Sequence, residues 1–396
     1  MTLRQQFLQY QAQTSPSPIL LEIAKGEGIY LFDTSGKKYL DFISGISVSN
    51  VGHCAPEVVA AVQKQVATYM HTLVYGEFVM QPAADFAQKL IEVLASELQS
   101  VYFTNSGAEA TEGALKIAKK YTGRKKIVAC KDSYHGSTHG ALSVTGTDWI
   151  KEGYGPFLED VHFIAFNSEA DLAQIDTNTA AFIVEAVQGE AGVLLPQNDY
   201  LQKVRKRCDM VGAVMILDEI QTGFGRAGAL FAHQYFGVTP DVLLLAKGMG
   251  GGMPIGAFIA KKEMMQVIQQ NPILGHITTF GGHPVTTAAG LACLNKILDE
   301  NLIAQIPEKE ALMRKMLVHP AIQAVRGQGL MFAVELGSFE KVLAVCHRAL
   351  QKGLITDWFL SCTTAIRLGP PLIISLEELE NALRILIETI DEVSHE

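Results

Sequence analysis

The sequence lacks the features of secreted, membrane-spanning and metal-thiolate proteins. No stretch approaches the roughly 18 apolar residues of a membrane-spanning helix, and residues 1–17 are polar and glutamine-rich, without the apolar core of a signal peptide. The six cysteines, at positions 54, 130, 208, 293, 346 and 362, include no Cys-x-x-Cys pair, which favours reduced thiols over disulfides and zinc ligands. We therefore expect a soluble, cytoplasmic protein.

Basic runs, low-complexity segments and internal repeats are also absent. The net charge of -9 argues against nucleic acid or an anionic membrane as the main partner. What the 396 residues do contain is 48% hydrophobic and 18% charged side chains, enough for one large core and a second, smaller domain.

Three apolar segments end abruptly in charged residues. Residues 181–185, 213–218 and 241–247 read as buried strands that end in Glu185, Asp218 and Lys247, the lysine in a glycine-rich turn. Because ligands of a parallel α/β sheet lie beyond the carboxyl ends of its strands, we expect these side chains to point into one crevice.

Lys247 taken alone has two interpretations. It is either a lysine that extends from a strand end to water, or a lysine whose pKa is lowered by burial and which can form a Schiff base. A neighbouring buried carboxylate could pair with this lysine. It could equally hold a protonated ring nitrogen of a cofactor, as the pyridinium of pyridoxal phosphate requires.

Two further motifs follow short strands. Residues 101–104 lead into Ser106, Gly107 and Ala108 at the start of a helix, where free backbone N–H groups suit a phosphate, although Ser106 and Glu109 also form an ordinary capping-box pattern. Residues 127–130 lead to Tyr134, whose ring could cover a planar ligand or simply pack.

Other patterns need separate interpretation. His135 and His139 have helical metal-ligand spacing, but Gly136 stands where a zinc-protease motif has glutamate, so we expect no metal. Residues 223–228 match Gly-x-Gly-x-x-Gly but do not directly follow a strand, which disfavours a dinucleotide site. Arg367 follows a short apolar segment and could bind a carboxylate bidentately or form a surface ion pair.

The predicted strands alternate mostly with helices, which indicates an α/β fold with about seven mostly parallel strands and helices on both faces. The expected division is an N-terminal arm and hairpin at 1–50, a large domain at 51–285, and a smaller α/β domain at 286–396. The arm is expected to join the smaller domain. A Pro at position 56 is expected to open a helix that runs to about residue 69.

Six motifs, in this order, resemble those of the class III (ω-amino) aminotransferases, in particular the acetylornithine, ornithine and 4-aminobutyrate group. They lie at residues 106–110, 134–136, 185–190, 218–225, 246–248 and 279–282. The resemblance covers nearly the whole chain. It implies the fold-type I architecture of enzymes that use pyridoxal 5'-phosphate (PLP), with a mostly parallel seven-stranded sheet and a homodimer that shares its active sites.

The resemblance implies roles for the cofactor-binding residues. Lys247 would be the Schiff-base lysine and proton shuttle, and Asp218 would pair with the ring nitrogen. Tyr134 would stack on the ring, Gln221 would bond the ring hydroxyl, and Glu185 would support the ring with its carboxylate. The phosphate would be bound by Ser106, Gly107 and Ala108, and by Thr279 from the other subunit.

The resemblance also implies the reaction, a ping-pong transfer of an amino group between an ω-amino compound or amino acid and 2-oxoglutarate. Arg367 would receive the α-carboxylate of glutamate, and Glu190 would pair with Arg367 when an ω-amino substrate binds. Two residues depart from the family pattern. Ser137 stands where this group usually has arginine, and Ile46 stands where ornithine enzymes have tyrosine.

These departures leave the amino donor open. A relative that uses PLP for isomerisation or decarboxylation is the alternative enzyme. A non-catalytic protein that keeps the fold is a third interpretation, and the presence of Lys247 with Asp218 argues against it.

Overall fold

The computed structural model describes residues 1–395, which form three β-sheets and thirteen α-helices. The strands are β1 Ile23–Glu27, β2 Tyr30–Asp33, β3 Lys38–Asp41, β4 Ser100–Thr104, β5 Lys126–Cys130, β6 Val161–Ile164, β7 Thr179–Glu185, β8 Val214–Asp218, β9 Val242–Leu245, β10 Gly256–Ala260, β11 Ala324–Gln328, β12 Met331–Glu335, β13 Leu354–Ile355, β14 Asp357–Trp358 and β15 Ala365–Leu368.

The helices differ widely in length, and several begin with proline in the first turn, where its missing N–H costs no hydrogen bond. They are α1 Leu3–Tyr10, α2 Ser44–Ser47, α3 Pro56–Thr68, α4 Gln81–Val93, α5 Gly107–Thr122, α6 His139–Val144, α7 Tyr200–Val211, α8 Ala232–Phe236, α9 Lys262–Met265, α10 Pro284–Asp299, α11 Ile306–Met316, α12 Phe339–Gln351 and α13 Leu376–Ser394. Among the described residues, no helix combines the length and the apolar character needed to cross a membrane.

The largest sheet has seven strands in the order β4-β10-β9-β8-β7-β5-β6. Strand β10 runs antiparallel to both of its neighbours, whereas β6, β5, β7, β8 and β9 pair in parallel. Glu185 and Asp218 are register partners at the carboxyl ends of β7 and β8. The predicted mostly parallel sheet is therefore confirmed, and so is the placement of these two carboxylates at one edge.

Apolar residues that alternate along the central strands pack against helices on opposite faces of the sheet. Ile216 of β8 lies in a cluster with α5, whereas Met215 and Leu217 lie in a cluster with α7. All five residues of β8 are buried. A strand covered on both faces has a nearly continuous apolar sequence, which is why these segments were recognisable as strands.

Two smaller sheets contain the chain ends. The first has the order β1-β2-β3-β13, so the N-terminal hairpin pairs with a strand near residue 354, in parallel through Leu354 and Leu40. The second has the order β11-β12-β15-β14, and places Arg367 opposite Ala333. The predicted hairpin of β2 and β3 is confirmed. The division into domains at residues 50 and 285 stays a prediction.

Some boundaries differ from the expected ones. Strand β15 continues past Arg367 to Leu368, so the arginine lies within the strand and not at its end. The helix opened by Pro56 ends at Thr68, close to the predicted position.

Candidate active site

A cavity of about 700 Å³ opens at the carboxyl ends of the central strands. Most of the site residues predicted from the sequence line it, namely Ser106, Gly107, Ala108, Tyr134, Ser137, Glu185, Glu190, Asp218, Gln221 and Lys247. A cavity of about 760 Å³ lies elsewhere, between α1, the segment 18–23 and α12, and none of the predicted site residues lines it. The cavity at the sheet edge is therefore the candidate active site.

Lys247 lies two residues beyond the end of β9, with a positive φ of 47°. Within the described part of the chain, its amine forms no hydrogen bond or ion pair. Burial lowers the pKa of Lys247, against the opposing charge of Glu190, because the charged form loses solvation in the cavity wall. A lowered pKa increases the neutral fraction of the amine, which is the form that acts as nucleophile and base.

Asp218 ends β8 and is bound by His135, which lies in the loop between β5 and α6. The Nδ1 atom of His135 lies 2.7 Å from Oδ2 of Asp218, and the backbone N–H of Ile220 donates to Oδ1 at 2.9 Å. Both side chains are buried. The Nε2 atom of His135 is buried and has no partner among the described residues. These contacts hold the Asp218 carboxylate in one orientation toward the cavity.

Glu185 ends β7 beside Asp218. It accepts hydrogen bonds from the backbone N–H groups of Tyr134, at 3.2 Å, and Gly189, at 2.9 Å. Burial raises the pKa of Glu185 to about 7, and the nearby charge of Asp218 acts in the same direction. This carboxyl group is therefore partly protonated near neutral pH.

The first turn of α5 forms another part of the cavity wall. The Ser106 hydroxyl caps the helix by accepting from the N–H of Glu109 at 3.2 Å. The Glu109 carboxylate bonds Asn105 instead of the Ser106 N–H, so only one half of the expected capping box forms. The N–H groups of Gly107 and Ala108 bind no acceptor within residues 1–395.

Gly107 packs closely against Ile220. A Cβ atom at this position would lie 2.8 Å from Cδ1 of Ile220, so a larger residue would displace the Ile220 side chain. Unpaired N–H groups at a helix N-terminus attract anions through the helix dipole. The turn therefore fits the phosphate of a cofactor, and the unpaired Lys247 amine fits a covalent link to it.

Glu190 and Arg367 form an ion pair at the other end of the cavity. Nη1 and Nη2 of Arg367 donate to Oε1 and Oε2 of Glu190 at 2.8 and 2.7 Å, a bidentate arrangement, and both side chains are buried. The N–H of Leu360 donates to Glu190 at 3.0 Å. Although burial opposes the charged form, Arg367 lowers the pKa of Glu190 to about 2, so this carboxylate stays charged at neutral pH.

Gln221 and Ser137 each bond another residue of the cavity lining. The Gln221 amide donates to Oε1 of Glu190 at 3.2 Å. The hydroxyls of Tyr134 and Ser137 lie 3.0 Å apart. Ser137 thus brings a neutral hydroxyl to the position where the resemblance to class III aminotransferases implies an arginine.

Three predicted residues, Thr279, Ile46 and Arg367, lie outside the cavity lining. Thr279 is exposed in a loop, and Ile46, with a φ of 65°, lies in the kinked α2. Their suggested roles, including that of Thr279 in a second subunit, stay predictions. Arg367 reaches the cavity through its bond to Glu190.

Sequence reasoning missed several residues of the site. His135 was considered only as a possible metal ligand, whereas the structure places it against Asp218. Its position directly after Tyr134 in the motif was the available signal. Apolar lining residues between 252 and 255 and at Val48 and Val187 carried no chemical signal in the sequence. Within the described residues, no group of His, Cys, Asp and Glu side chains has the arrangement of a metal site.

The similarity to known proteins extends over nearly the whole chain. Residues 10–390 match the family model for aminotransferase class-III. The acetylornithine aminotransferase of Caldanaerobacter subterraneus subsp. tengcongensis is 38% identical over 390 residues, which cover 95% of each chain. That of Methanopyrus kandleri is 38% identical over 373 residues, which cover 93% of this chain and 94% of the other.

Solved structures share the fold. The ornithine aminotransferase from Toxoplasma gondii, described with partial occupancy of PLP at its active site, has a TM-score of 0.91 and 32% identity, covering 98% of this chain and 93% of that one. The ω-transaminase from Pseudomonas jessenii in complex with PMP has a TM-score of 0.93 and 27% identity, covering 100% and 99%. The predicted fold class is therefore confirmed.

Proposed function

The chain belongs to the class III aminotransferases, which depend on PLP, and on this premise we propose that it transfers amino groups between an ω-amino compound or amino acid and 2-oxoglutarate. The observation that carries the proposal is the bidentate pair of Arg367 and Glu190 at the cavity that contains Lys247. Glutamate and 2-oxoglutarate would form one half-reaction, and the amino donor the other, in a ping-pong cycle.

The cofactor would be held by the cavity residues whose geometry fits its parts. The free N–H groups of Gly107 and Ala108, with the Ser106 cap, would bind the phosphate. Asp218 would bind the ring nitrogen, with His135 fixing its carboxylate. When bound, PLP supplies a ring that takes up the negative charge left on the substrate carbon after a proton is removed.

The other residues of this site would orient the ring. Tyr134 would cover one face, Gln221 would bond the ring hydroxyl, and Glu185 would support the ring from the end of β7. Thr279 would contribute to the phosphate site from a second copy of the chain, in a homodimer with shared active sites.

Lys247 would move the proton. Its amine has no partner in the described chain, and burial lowers its pKa, so its Nζ atom would be able to take up the proton that leaves the substrate carbon and hold it beside the cofactor. The placement of this amine at the end of β9, near the end of β8, fixes it relative to Asp218.

The Glu190 carboxylate would act as a switch for substrate charge. It occupies both donors of Arg367 that a substrate α-carboxylate would use. When glutamate binds, its carboxylate would displace Glu190. An ω-amino donor would bring no carboxylate to Arg367. The ion pair of Arg367 and Glu190 would then stay formed, so that neither buried charge is left uncompensated.

The proposed amino donor is a chemical class, an ω-amino compound or amino acid. The names of the curated relatives make acetylornithine the first donor to test. The resemblance implies an arginine at the position of Ser137, which has only a hydroxyl bonded to Tyr134. Because Ser137 carries no positive charge to bind a second substrate carboxylate, donors without one should also be tested. A cytoplasmic location fits the small-molecule substrates and is proposed with them.

The test is the visible absorption spectrum of the purified holoenzyme before and after glutamate is added. We expect glutamate to convert the band of the lysine-bound cofactor to that of the amino form, with release of 2-oxoglutarate. In an Arg367→Lys variant the KM for glutamate should rise about tenfold or more, because the bidentate contact is lost.

A matched control is Arg326→Lys. Arg326 pairs with Glu335 in the same small sheet, with a distance of 3.0 Å, and does not line the cavity. The KM of the Arg326→Lys variant for glutamate should stay close to the wild-type value. A cofactor band that glutamate leaves unchanged would contradict the assignment of Arg367 and Glu190.

A further inference from the structure

Arg226 is the largest fully buried side chain in the described chain, and the proposed reaction does not use it. A buried guanidinium group is costly unless it is paired or fully hydrogen-bonded. Within residues 1–395, no carboxylate lies within ion-pair distance of it. Burial lowers the pKa of Arg226 to about 9, with the charge of Asp41 acting in the opposite direction.

Four oxygen atoms from three segments surround this guanidinium group. Nη1 donates to the carbonyls of Leu330, at 2.9 Å, and Pro370, at 2.6 Å. Nη2 donates to Oδ1 of Asn50, at 2.6 Å, and to the Ser44 hydroxyl, at 3.3 Å. The planar group therefore joins the segment after β3 to the segments that flank β12 and β15.

One side of this arrangement leads to Arg367. Leu330 directly precedes β12, which pairs with β15 through Ala333 and Arg367, and Pro370 follows Arg367 by three residues. The Leu330 N–H also donates to the carbonyl of Arg226 at 3.0 Å. Arg226 thus binds one end of the paired strands β12 and β15, three residues from Arg367 along the chain.

The other side leads to Lys247. The Asn50 amide accepts from Arg226 with its oxygen and donates to the carbonyl of Phe224 with its nitrogen, at 3.0 Å. A Cβ atom on Gly248 would lie 2.5 Å from that nitrogen, so the Asn50 amide packs directly against the backbone that follows Lys247. The orientation of the amide is set by Arg226.

We propose that Arg226 is a positioning residue that fixes the separation between the Lys247 turn and the strand presenting Arg367. Through this separation it would determine how a substrate carboxylate on Arg367 is aligned with the amine of Lys247. The inference rests on the proposed function of Arg367 in glutamate binding. Neither a hydrophobic residue nor a lysine reproduces four hydrogen bonds from one planar group to three separate segments.

The test uses the full-length holoenzyme with Arg226→Lys, which keeps the charge but loses the planar set of donors. We expect the KM for glutamate to rise about tenfold, since small misplacements of a substrate anchor have large effects. The pH midpoint of the visible band of the lysine-linked cofactor should also shift, by about half a pH unit, because the surroundings of Lys247 change.

Arg124→Lys is the matched control. Arg124 also donates to three backbone carbonyls, those of Thr179, Val211 and Gly212, but near the amino ends of β7 and β8. The Arg124→Lys variant should lose thermal stability, but its KM for glutamate and the pH midpoint of its visible band should stay at the wild-type values. If Arg226→Lys does not fold, Asn50→Ala tests the same link, with a smaller shift of the same band and of the KM expected.

Each outcome decides the proposal. A folded Arg226→Lys enzyme with wild-type band midpoint and glutamate KM would overturn it, and so would equal changes in the Arg124→Lys enzyme. If the wild-type enzyme does not respond to glutamate, the proposed function fails. The band midpoint, which needs no substrate, then still decides whether Arg226 positions the Lys247 turn.

Discussion

Two buried glutamates, one at the carboxyl end of β7 and one in the segment that follows it, have opposite electrostatic surroundings. Glu185 ends β7, and Glu190 follows it by five residues. Burial raises the pKa of Glu185 to about 7, whereas the pKa of Glu190 is lowered to about 2 although burial opposes its charged form. The difference is Arg367, which binds Glu190 bidentately, while Glu185 receives two backbone N–H groups.

The comparison separates two ends of the cavity. The end with Glu185, Asp218 and Lys247 is built from neighbouring strands of one sheet, whose register fixes the side chains. The end with Glu190 depends on a contact with a second sheet, which contains Arg367. We infer that the first end is suited to hold a cofactor permanently, and the second to respond to the charge of the substrate.

The largest expected effect is at the cofactor end. Lys247→Ala should reduce turnover by about 10⁴-fold or more with every donor, because the nucleophile and the proton-transfer group are lost together. The measurement is the steady-state rate with a saturating donor, together with circular dichroism to show that the fold is retained. Near-normal rates would contradict the assigned role.

Lys126→Ala is the control for the loss of a lysine. Lys126 begins β5 at the opposite end of the sheet and pairs with Asp176 at 2.9 Å. It should lose some thermal stability and keep its turnover. A similar loss of rate in both variants would show that the effect of Lys247→Ala is structural.

The second largest expected effect is a dependence of the free energy of unfolding on pH, which reports the protonation of Glu185. Its pKa is raised from 4.5 to about 7 in the folded protein, so the folded state binds a proton more tightly than the unfolded state does. This cost to stability is absent below pH 4.5, grows as the pH rises to 7, and is constant above. It amounts to about 3 kcal/mol of unfolding free energy.

The measurement is denaturant unfolding of the apoprotein, wild type and Glu185→Gln, from pH 4.5 to 7.5. We expect the stability of the variant relative to wild type to increase by about 3 kcal/mol across this range. Gln cannot accept both N–H groups equally well, which adds an offset that does not depend on pH. A relative stability that stays constant across the range would contradict the raised pKa.

A smaller effect is expected at the substrate end. Glu190→Gln removes the negative charge that competes for Arg367, so the KM for glutamate should fall about tenfold, while the KM for an ω-amine donor should rise. Glu335→Gln, which disturbs the pair with Arg326, is the control and should change neither value. Equal changes of both KM values in the Glu190 variant would argue against selection by charge.

The sequence predicted the cofactor end of the cavity better than the substrate end. The apolar strands ending in Glu185, Asp218 and Lys247 could be recognised because burial on both faces makes their sequences continuously apolar. Parallel pairing then brings the carboxyl ends of these strands to one edge by geometry alone. The seven-stranded sheet followed from the same reasoning.

Pairs of distant residues could not be predicted from local patterns. His135 and Asp218 are 83 residues apart in the chain, and Arg367 and Glu190 are 177 apart. The pairing of Glu190 with Arg367 was expected only from the family resemblance. The bond between His135 and Asp218, and the parallel pairing of β13 with β3, were not expected, because neither leaves a periodic signal in the sequence.

The smallest expected effect concerns the hydroxyl pair of Tyr134 and Ser137, two residues that line the cavity. This bond, with its oxygens 3.0 Å apart, is exposed, so water can replace either partner when one is removed. Ser137→Ala should therefore change the KM for glutamate by no more than about threefold, the effect of losing under 1 kcal/mol. Ser143→Ala is a suitable control, because that hydroxyl donates to the His139 carbonyl and accepts from the Leu158 N–H, both outside the cavity. A change in KM of tenfold or more for glutamate in the Ser137 variant alone would show that this serine contributes to the substrate end, and the separation of the two ends drawn from Glu185 and Glu190 would then be too simple.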